Sequence, residues 1–374
     1  MNRAVQATVT REEIVKGQVA VKVSRKSFDT YYITTPSGAL NGFEALADFV
    51  RRYNGTIVTQ DVFGTCRLHT DGIKSLSHAF GDIHWPITWI EGQNCNGQNS
   101  CGTQLYVISG AKVDPVYIDG RNVGGIYEDE DAVYCLLGNI LPSDLSLPKQ
   151  KQAAEVFENI ESALQSTGMD FVNIIRTWFY LDDIFSWYDE FNSVRTEFFS
   201  KKRIFDGIVP ASTGIGVRNQ AGTAVVADVL AIKPKSDRVH IGMVPSPLQC
   251  PALEYGSSFS RAIEVTLPDL RRLYISGTAS IKPNGETAHV GDIAAQIDLT
   301  MKVVQEILES RGMDWTDVNR AIAYFKYTDD IPVFDYYCQL HGLSTVSVAV
   351  SHADICRDDL LFEIEVDAVQ PVTY

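Results

Sequence analysis

The amino-acid sequence predicts an α+β protein made of tandem, related units in which mixed β-sheets carry helices packed on one side. The first observation is a repeat: Leu164–Ile184 is echoed by Leu308–Ile331, and each copy has a helical pattern, Gly-Met-Asp and a strand pattern that ends in an acidic pair. The second is that Tyr134–Gly138 precedes the first copy as Tyr274–Gly277 precedes the second. Such self-similarity indicates a duplicated structural unit. Two similar units that face each other can form a cleft that neither forms alone.

The length of 374 residues indicates two or three units of ordinary domain size, and 45% hydrophobic residues give each unit material for a core. We predict a degenerate, mostly-β N-terminal unit over residues 1–125. A central unit over 126–235 and a C-terminal unit over 236–374 follow.

The net charge of −15 and the pI near 4.9 argue against nucleic acid and against an anionic membrane surface as partners, because neither would meet a basic field. A small anionic substrate fits only where cations gather in a pocket. No apolar run is long enough to cross a bilayer, and the N-terminal residues contain no signal-peptide core. Seven scattered cysteines are typical of a reducing cytoplasm, where we expect the protein. Cys95 and Cys101 lack a second ligand pair at zinc spacing, so we predict a polar loop and no metal.

The first 125 residues contain three strand patterns, Ile57–Phe63, Trp85–Ile90 and Gln104–Ile108, separated by turns rich in glycine and asparagine. One helix is predicted at Gly42–Tyr53. The order of helix and strands resembles a worn third copy of the repeat.

The other two units share one predicted order, a β-hairpin followed by α, β, α and β, which places two helices on one side of a mixed sheet. The helix after Pro148 has an apolar stripe and ends at Gly168. The remaining predicted elements are the strand Val172–Leu181, the helix Trp187–Phe199, the strands Pro210–Val217 and Thr223–Ile232, a strand at 272–276, a helix at 292–310, a strand at 318–327, a helix at 331–341 and strands at 344–350 and 360–369.

Arg176 is the first candidate for chemistry. It alternates with Trp178 and Tyr180 onto one face of its strand, and we align it with Ile322 of the C-terminal unit. A buried guanidinium without a partner is costly. Two interpretations stand: a structural ion pair, or a fork for a substrate carboxylate.

Glu363 is the second candidate. It shares one face of the final strand with Glu365, and in the central unit Val226 and Asp228 occupy the matching positions. A position that is glutamate in one copy and valine in the other is not required by the fold. A partly buried glutamate can hold a proton near neutral pH and act as a general acid. The alternative is a solvated carboxylate without a chemical role.

Three further groups of residues flank these strands. Cys356 and Arg357 lie in the loop before the final strand, and nothing fixes a histidine or helix end that would activate the thiol. We therefore interpret Cys356 as a pocket wall. The segment at 255–261 supplies Tyr255, Ser258 and Arg261.

Small residues around Thr278 and Ala279 allow a ligand to approach the backbone closely. Neither this segment nor Pro210–Val217 precedes a helix as a phosphate loop does, so nucleotide binding is not predicted.

Four motifs together resemble the Rid/YjgF superfamily, and most of all its chorismatase branch: GMD with its strand, PASTGIG, ISGTASI with GETAHVGD, and CRDDLLFEIEV. The resemblance covers residues 125–374 well and the first 125 loosely. It implies tandem Rid/YjgF-like (chorismate-mutase-like) units in a pseudo-trimeric arrangement.

Small Rid proteins are trimers that hydrolyse enamines and imines at subunit clefts, with an arginine in the penultimate strand and a glutamate in the last strand. The glutamate matches Glu363. The arginine position falls near Ser212 in the central unit and on small or apolar residues around Thr345–Val348, so the resemblance does not carry the simple deaminase chemistry over.

Chorismatases resemble three fused Rid-like units with one cleft between the central and C-terminal units, and they remove pyruvate from chorismate. The resemblance implies Glu363 as the acid that protonates carbon and Arg176 as the group that binds a carboxylate. Arg261 and Arg357 are candidates for the other carboxylate. A cysteine at the place of Cys356 occurs in the hydroxybenzoate-forming type.

The leading hypothesis is therefore a chorismatase-like enzyme that cleaves pyruvate from chorismate or a related enol ether without a metal or organic cofactor. Tyr255 and Ser258 would orient the ring hydroxyl. We expect a monomer or a homotrimer. Two alternatives stay open: a Rid-like enamine or imine hydrolase (or a biosynthetic relative acting on another small anion), and a non-catalytic Rid scaffold that binds metabolites or a partner protein.

Overall fold

The computed structural model describes residues 7–15, 17–35, 42–92 and 100–372. Cys95 and the loop around it lie outside the described residues. Within the described ranges, no helix has both the length and the apolar character needed to cross a lipid bilayer.

The first sheet and its two helices come from the N-terminal part of the chain. Its strand order is β1-β2-β3-β6-β4-β5, with β4 and β5 parallel. The elements are β1 (Thr8–Val15), β2 (Gln18–Ser24), β3 (Asp29–Thr35), α1 (Phe43–Arg52), β4 (Thr56–Gly64), α2 (His69–Phe80), β5 (Ile87–Ile90) and β6 (Ser100–Ser109).

The second sheet has the order β11-β10-β12-β9-β8-β7, with β10 and β11 parallel. The elements are β7 (Asp114–Ile118), β8 (Arg121–Glu128), β9 (Ala132–Ile140), α3 (Lys149–Ser166), β10 (Ile174–Leu181), α4 (Tyr188–Lys201), β11 (Ala211–Gly216) and β12 (Val225–Pro234).

The third sheet has the order β13-β14-β15-β18-β16-β17, with β16 and β17 parallel. The elements are β13 (His240–Val244), β14 (Ala262–Thr266), β15 (Leu270–Ala279), α5 (Ile293–Glu309), β16 (Val318–Phe325), α6 (Ile331–Leu340), β17 (Val348–His352) and β18 (Phe362–Pro371).

The three sheets thus repeat one topology, and the first is a full third copy. The sequence prediction missed β1, β2, β3 and α2. β1 has no buried residue, so its edge position leaves no clear apolar alternation. α2 contains Gly72, an unfavourable residue for a helix, which is needed because a Cβ there would collide with the Trp89 ring.

The predicted boundary after residue 125 falls inside β8, which pairs with β7 and β9 in the second sheet. We therefore propose that the central unit begins between β6 and β7. The proposed boundary after residue 235 lies between β12 and β13 and needs no change.

The repeated Gly-Met-Asp motif connects a helix to a strand in the same way in both units. Gly168 and Gly312 have φ values of 75° and 67°, a left-handed conformation that glycine adopts without strain and that ends a helix. Asp170 and Asp314 each cap a short 3-10 turn that leads into β10 or β16. The motif therefore records a local structural requirement.

In each sheet, one face of the central strand packs against the helices of its own unit, and the other face packs against the other units. In β18, Phe362 and Ile364 pack with the helices of their own unit in one apolar core. Glu363, Glu365 and Asp367 alternate onto the opposite face, where they are 5%, 0% and 3% exposed. This second face is covered by the other units, so polar residues on it meet partners from another part of the chain.

Backbone hydrogen bonds join the units at their edges. Gly216 of β11 exchanges two bonds of 2.7 and 2.9 Å with Asp354, and Glu91 N donates to Arg218 O at 2.7 Å. Contacts of β5 with β9, β11 with β15, and β17 with β3 occupy equivalent places in the repeat. Each unit therefore contacts both of the others.

We predict that Phe157→Ala in α3 destabilises the protein by about 3–5 kcal/mol, because truncation of a buried phenylalanine leaves a cavity. Phe157 is 0% exposed and contacts five other phenylalanine rings. Urea unfolding measures the loss. Phe205→Ala, at a residue that is 37% exposed, should cost far less, and equal losses in the two variants would contradict this packing.

Candidate active site

A cleft of about 710 Å³ opens between the central and C-terminal units, which is within the usual range for small-molecule sites. The central unit supplies one wall with α4 and β11. The C-terminal unit supplies the other wall with β15, β18 and the loops at 256–261 and 356–360. The walls come from two copies of the repeat, as the sequence analysis expected.

Glu363 lies in this cleft. It comes from β18, and its strand neighbour across the sheet is Ala279 of β15. A Cβ added at Gly277 would collide with Glu363 Oε1 and would lie 3.0 Å from its Cδ. The carboxyl group therefore rests against a bare Cα, and only glycine leaves room for it.

The surroundings of Glu363 favour a protonated carboxyl group. Burial raises its pKa, the negative charge of Glu365 raises it further, and Arg176 and Arg261 oppose both effects, with a net pKa of about 8. Desolvation and a like charge both disfavour the carboxylate. With a pKa of about 8, Glu363 is mostly protonated at neutral pH, and it faces a cleft that admits a ligand.

Glu365, two residues further along the same face of β18, is in the opposite state. It accepts hydrogen bonds from Arg320 Nη1 at 2.6 Å, Trp178 Nε1 at 2.8 Å and Arg176 Nη2 at 3.0 Å. Burial alone would raise its pKa, but Arg320 and Arg176 outweigh burial, and the pKa of Glu365 is lowered. This buried carboxylate is ionised and is stabilised by three hydrogen bonds.

The structure contradicts the substrate-binding role predicted for Arg176. Its side chain is 0% exposed, pairs with Glu365 and donates to Thr213 Oγ1 at 2.7 Å, and it is absent from the cleft lining. The structural ion pair is the correct interpretation. The alignment with Ile322 was also wrong: β10 and β16 have the same bulge, and their pairing with β12 and β18 makes Arg320 the counterpart of Arg176.

Three other arginines line the cleft. Arg261 donates from Nε and Nη2 to the Cys250 carbonyl at 3.0 and 2.9 Å, and Arg357 donates to the Gly285 carbonyl at 2.7 Å. These main-chain bonds fix where the two guanidinium groups lie. Both residues were predicted as cations of the site.

The third cation, Arg195 of α4, was missed by the sequence analysis. It is 2% exposed, donates to Asn192 Oδ1 at 2.6 Å and lies over the rings of Phe191 and Phe259 at 5.6 and 5.9 Å. The signal was available, because Phe191, Arg195 and Phe199 follow one another at helical spacing on the buried face of α4. A charged residue within an apolar stripe indicates a fixed partner or a ligand.

Two of the other predicted residues are cleft walls. Cys356 and Ala279 line the cleft, and burial raises the pKa of the Cys356 thiol to about 12. A thiol with that pKa is a poor nucleophile at neutral pH, in line with its interpretation as a wall.

Ser258 and Thr278 lie behind the lining. The Ser258 hydroxyl is 2.7 Å from the hydroxyl of Thr196, which does line the cleft. Thr278 Oγ1 donates to the Ser276 carbonyl at 2.8 Å. The Tyr255 side chain lies outside the described residues. Among the described residues, no group of three or more His, Cys, Asp or Glu side chains is placed to hold a metal ion.

Comparisons with known proteins agree with this architecture. Residues 142–231, most of the central unit, match the family model for endoribonuclease L-PSP. The chain is 29% identical over 237 residues to a chorismatase of Streptomyces rapamycinicus, which is 57% of this chain and 68% of the relative. It is 27% identical over 274 residues to a 3-hydroxybenzoate synthase of Streptomyces hygroscopicus, which is 66% of this chain and 76% of the relative.

A crystal structure of a chorismatase aligns with 92% of this chain and 100% of its own, with a TM-score of 0.67 and 20% sequence identity. At that identity the match concerns the fold. It includes all three sheets, whereas the family model covers only one unit. The central unit thus matches this family model, and the chain as a whole resembles the chorismatase branch of the Rid/YjgF superfamily.

Proposed function

We propose that the protein is a chorismatase-like enzyme that cleaves pyruvate from chorismate or a related enol ether by general-acid catalysis. The observation that carries this proposal is Glu363, a protonated carboxyl group that faces a cleft with three arginines. A chorismatase and a 3-hydroxybenzoate synthase among the relatives support the same class of enzyme.

The chemistry requires a proton donor at carbon. Glu363 gives its proton to the terminal methylene of the enol ether, which becomes a methyl group, and the adjacent carbon becomes an oxocarbenium ion. Water then adds to that carbon and gives up a proton to Glu363, and a hemiketal forms. The hemiketal hydroxyl passes its proton to the ring oxygen as the original C–O bond breaks, so pyruvate is released and a hydroxyl group stays on the ring. General-acid catalysis of this kind contributes typically 10²–10⁴-fold to the rate.

The cations of the cleft fit an anionic substrate. Chorismate has two carboxylates, and arginine binds carboxylates with two parallel hydrogen bonds. We assign one carboxylate to Arg195 on α4 and the other to Arg261 or Arg357 on the opposite wall. This assignment replaces Arg176, whose guanidinium is already bound to Glu365.

A Rid-like enamine hydrolase is less well supported. The penultimate strands β11 and β17 contain no arginine, so the cation that small Rid proteins place beside their glutamate is absent from both strands. Ser212 of β11 lines the cleft at that place.

We also propose that the chain acts as a monomer rather than a homotrimer, with its three units in a pseudo-trimeric arrangement. The support is the set of equivalent contacts β5–β9, β11–β15 and β17–β3, through which each unit meets the other two within one chain. The five free cysteines among the described residues fit the proposed cytoplasmic location.

Incubation of the protein with chorismate should release pyruvate, and Glu363→Gln should lower kcat by about 100-fold or more. Glutamine has the shape of the protonated carboxyl group but cannot transfer a proton to carbon, so chorismate binding should persist. A coupled pyruvate assay and calorimetric titration measure the two effects. The matched control is Glu158→Gln on the exposed side of α3, and turnover in Glu363→Gln equal to that control would refute the acid role.

The pH dependence of kcat/KM should show a limb that falls as pH rises. Glu363 has a raised pKa of about 8, and only its protonated form donates, so activity is retained below pH 8 and is lost above it. A profile that instead rises through pH 8 would assign Glu363 a basic role and contradict the mechanism.

Gly277→Ala should reduce pyruvate release by about tenfold or more, because the added methyl group displaces the carboxyl group it touches, and small displacements at a reacting centre are costly. Gly242→Ala on β13 is the control, since a Cβ there meets no atom within 4 Å. Equal kinetics of the two variants would show that Glu363 does not need its position against Gly277.

A further inference from the structure

We infer that Glu365 is a positioning residue for the reaction: clamped between Arg176 of the central unit and Arg320 of the C-terminal unit, it is a fixed negative charge that keeps the proton on Glu363. The catalytic role of Glu365 rests on the proposed function. The physical claim is that Glu365 is ionised and that its negative charge keeps the neighbouring Glu363 protonated.

The clamp comes from two copies of one strand position. Arg176 and Arg320 are repeat equivalents, yet both guanidinium groups reach Glu365, at 3.0 and 2.6 Å. The Trp178 ring lies between them, 4.8 Å from Arg176 Cζ and 5.0 Å from Arg320 Cζ, and donates its own N–H to Glu365. Three donors from two units thus converge on one carboxylate.

Glu363 receives nothing comparable. In the described part of the chain, no side chain donates a hydrogen bond to its carboxyl group, while Glu365 accepts three. Two residues on one face of a strand are about 7 Å apart. Two buried like charges at that distance repel each other, so ionisation of one carboxyl group disfavours ionisation of the other. The donors decide which carboxyl group is ionised.

Other titratable and charged groups also face the pair, and two of them are neutral. Burial raises the pKa of Tyr324 well above its usual value and that of Cys356 to about 12, so both are neutral at neutral pH. The groups that face the pair are Asp61 from β4, Arg176 and Tyr180 from β10, Arg261 just before β14, Arg320 and Tyr324 from β16, Cys356 and Arg357 from the loop before β18, and Asp367 from β18 itself.

The corresponding place in the central unit shows what the clamp adds. Asp228 is the register equivalent of Glu365, but it accepts from Thr88 Oγ1 and the Asn139 backbone N–H, each at 2.7 Å. Val226 stands in the place of Glu363. Within the residues that the structure describes, the two-arginine clamp and the glutamate next to it are both present in the C-terminal unit and both absent at the equivalent place in the central unit. This joint occurrence supports a shared function for the clamp and Glu363.

The test is a carbon-13 NMR titration of the Glu363 carboxyl carbon in full-length protein labelled on glutamate, with the signal assigned by its loss in Glu363→Gln. Glu365→Gln should lower the pKa of Glu363 by about one pH unit or more, because it removes a like charge and leaves two arginines unopposed. Arg176→Met should raise that pKa, and Arg176→Lys, which keeps the charge, should bring it back toward the wild-type value.

The same variants are then assayed for pyruvate release as a function of pH. The falling limb of kcat/KM should move to lower pH in Glu365→Gln and to higher pH in Arg176→Met. An unchanged Glu363 pKa in both variants, whatever happens to kcat, would overturn the inference and leave Glu365 a purely structural ion pair. If Glu365→Gln does not fold, the upward shift in Arg176→Met decides alone.

The two proposals fail separately. If wild-type protein releases no pyruvate from chorismate but the NMR shifts occur, the function is wrong and the control of the proton stands. If pyruvate is released and the Glu363 pKa does not move, the function stands and the control by Glu365 is wrong.

Discussion

The inward face of β18 carries three buried carboxyl groups, those of Glu363, Glu365 and Asp367, at the place where the units meet. A strand gives alternate side chains to opposite faces, and here the outward face packs on the unit's own helices while the inward face meets the other units. Carboxyl groups on that inward face are removed from water and must be paired or protonated. Glu365 is paired with two arginines, and Glu363 is protonated. The acid and its fixed neighbour are consequences of one buried strand face between units.

Divergence of the repeated units explains why one cleft differs from its counterparts. The strand order is the same three times, so the units could meet in three equivalent ways. In the central unit the position of Glu363 is valine, and Asp228 is satisfied by Thr88 and a backbone amide. Between the central and C-terminal units, glycine at 277 and arginine at 195 add space and positive charge. The scaffold needs none of these substitutions.

The sequence predicted the elements that have strong local signals. The Gly-Met-Asp motif, the apolar stripes of α3 and α5 and the contrast of Glu363 with Val226 led to the repeat, the sheets and the acid. The sequence contains no signal for β1, because this edge strand has no buried residue. It also could not identify the partners of Arg176, since Glu365 is 189 residues away and Thr213 lies on the neighbouring strand. The environment of Arg195 likewise depends on Phe259, a residue distant in sequence. The sequence pattern also aligned Arg176 with Ile322, whereas the strand register shows that Arg320 is its counterpart.

The central claim is that one of two neighbouring buried carboxyl groups carries a proton at neutral pH and the other does not. Neutron diffraction from deuterium-exchanged crystals at pH 7 tests it most directly, since it locates the deuteron itself. The account predicts a deuteron on a Glu363 oxygen and none on Glu365. A bare Glu363 carboxylate, or a deuteron on Glu365, would contradict it.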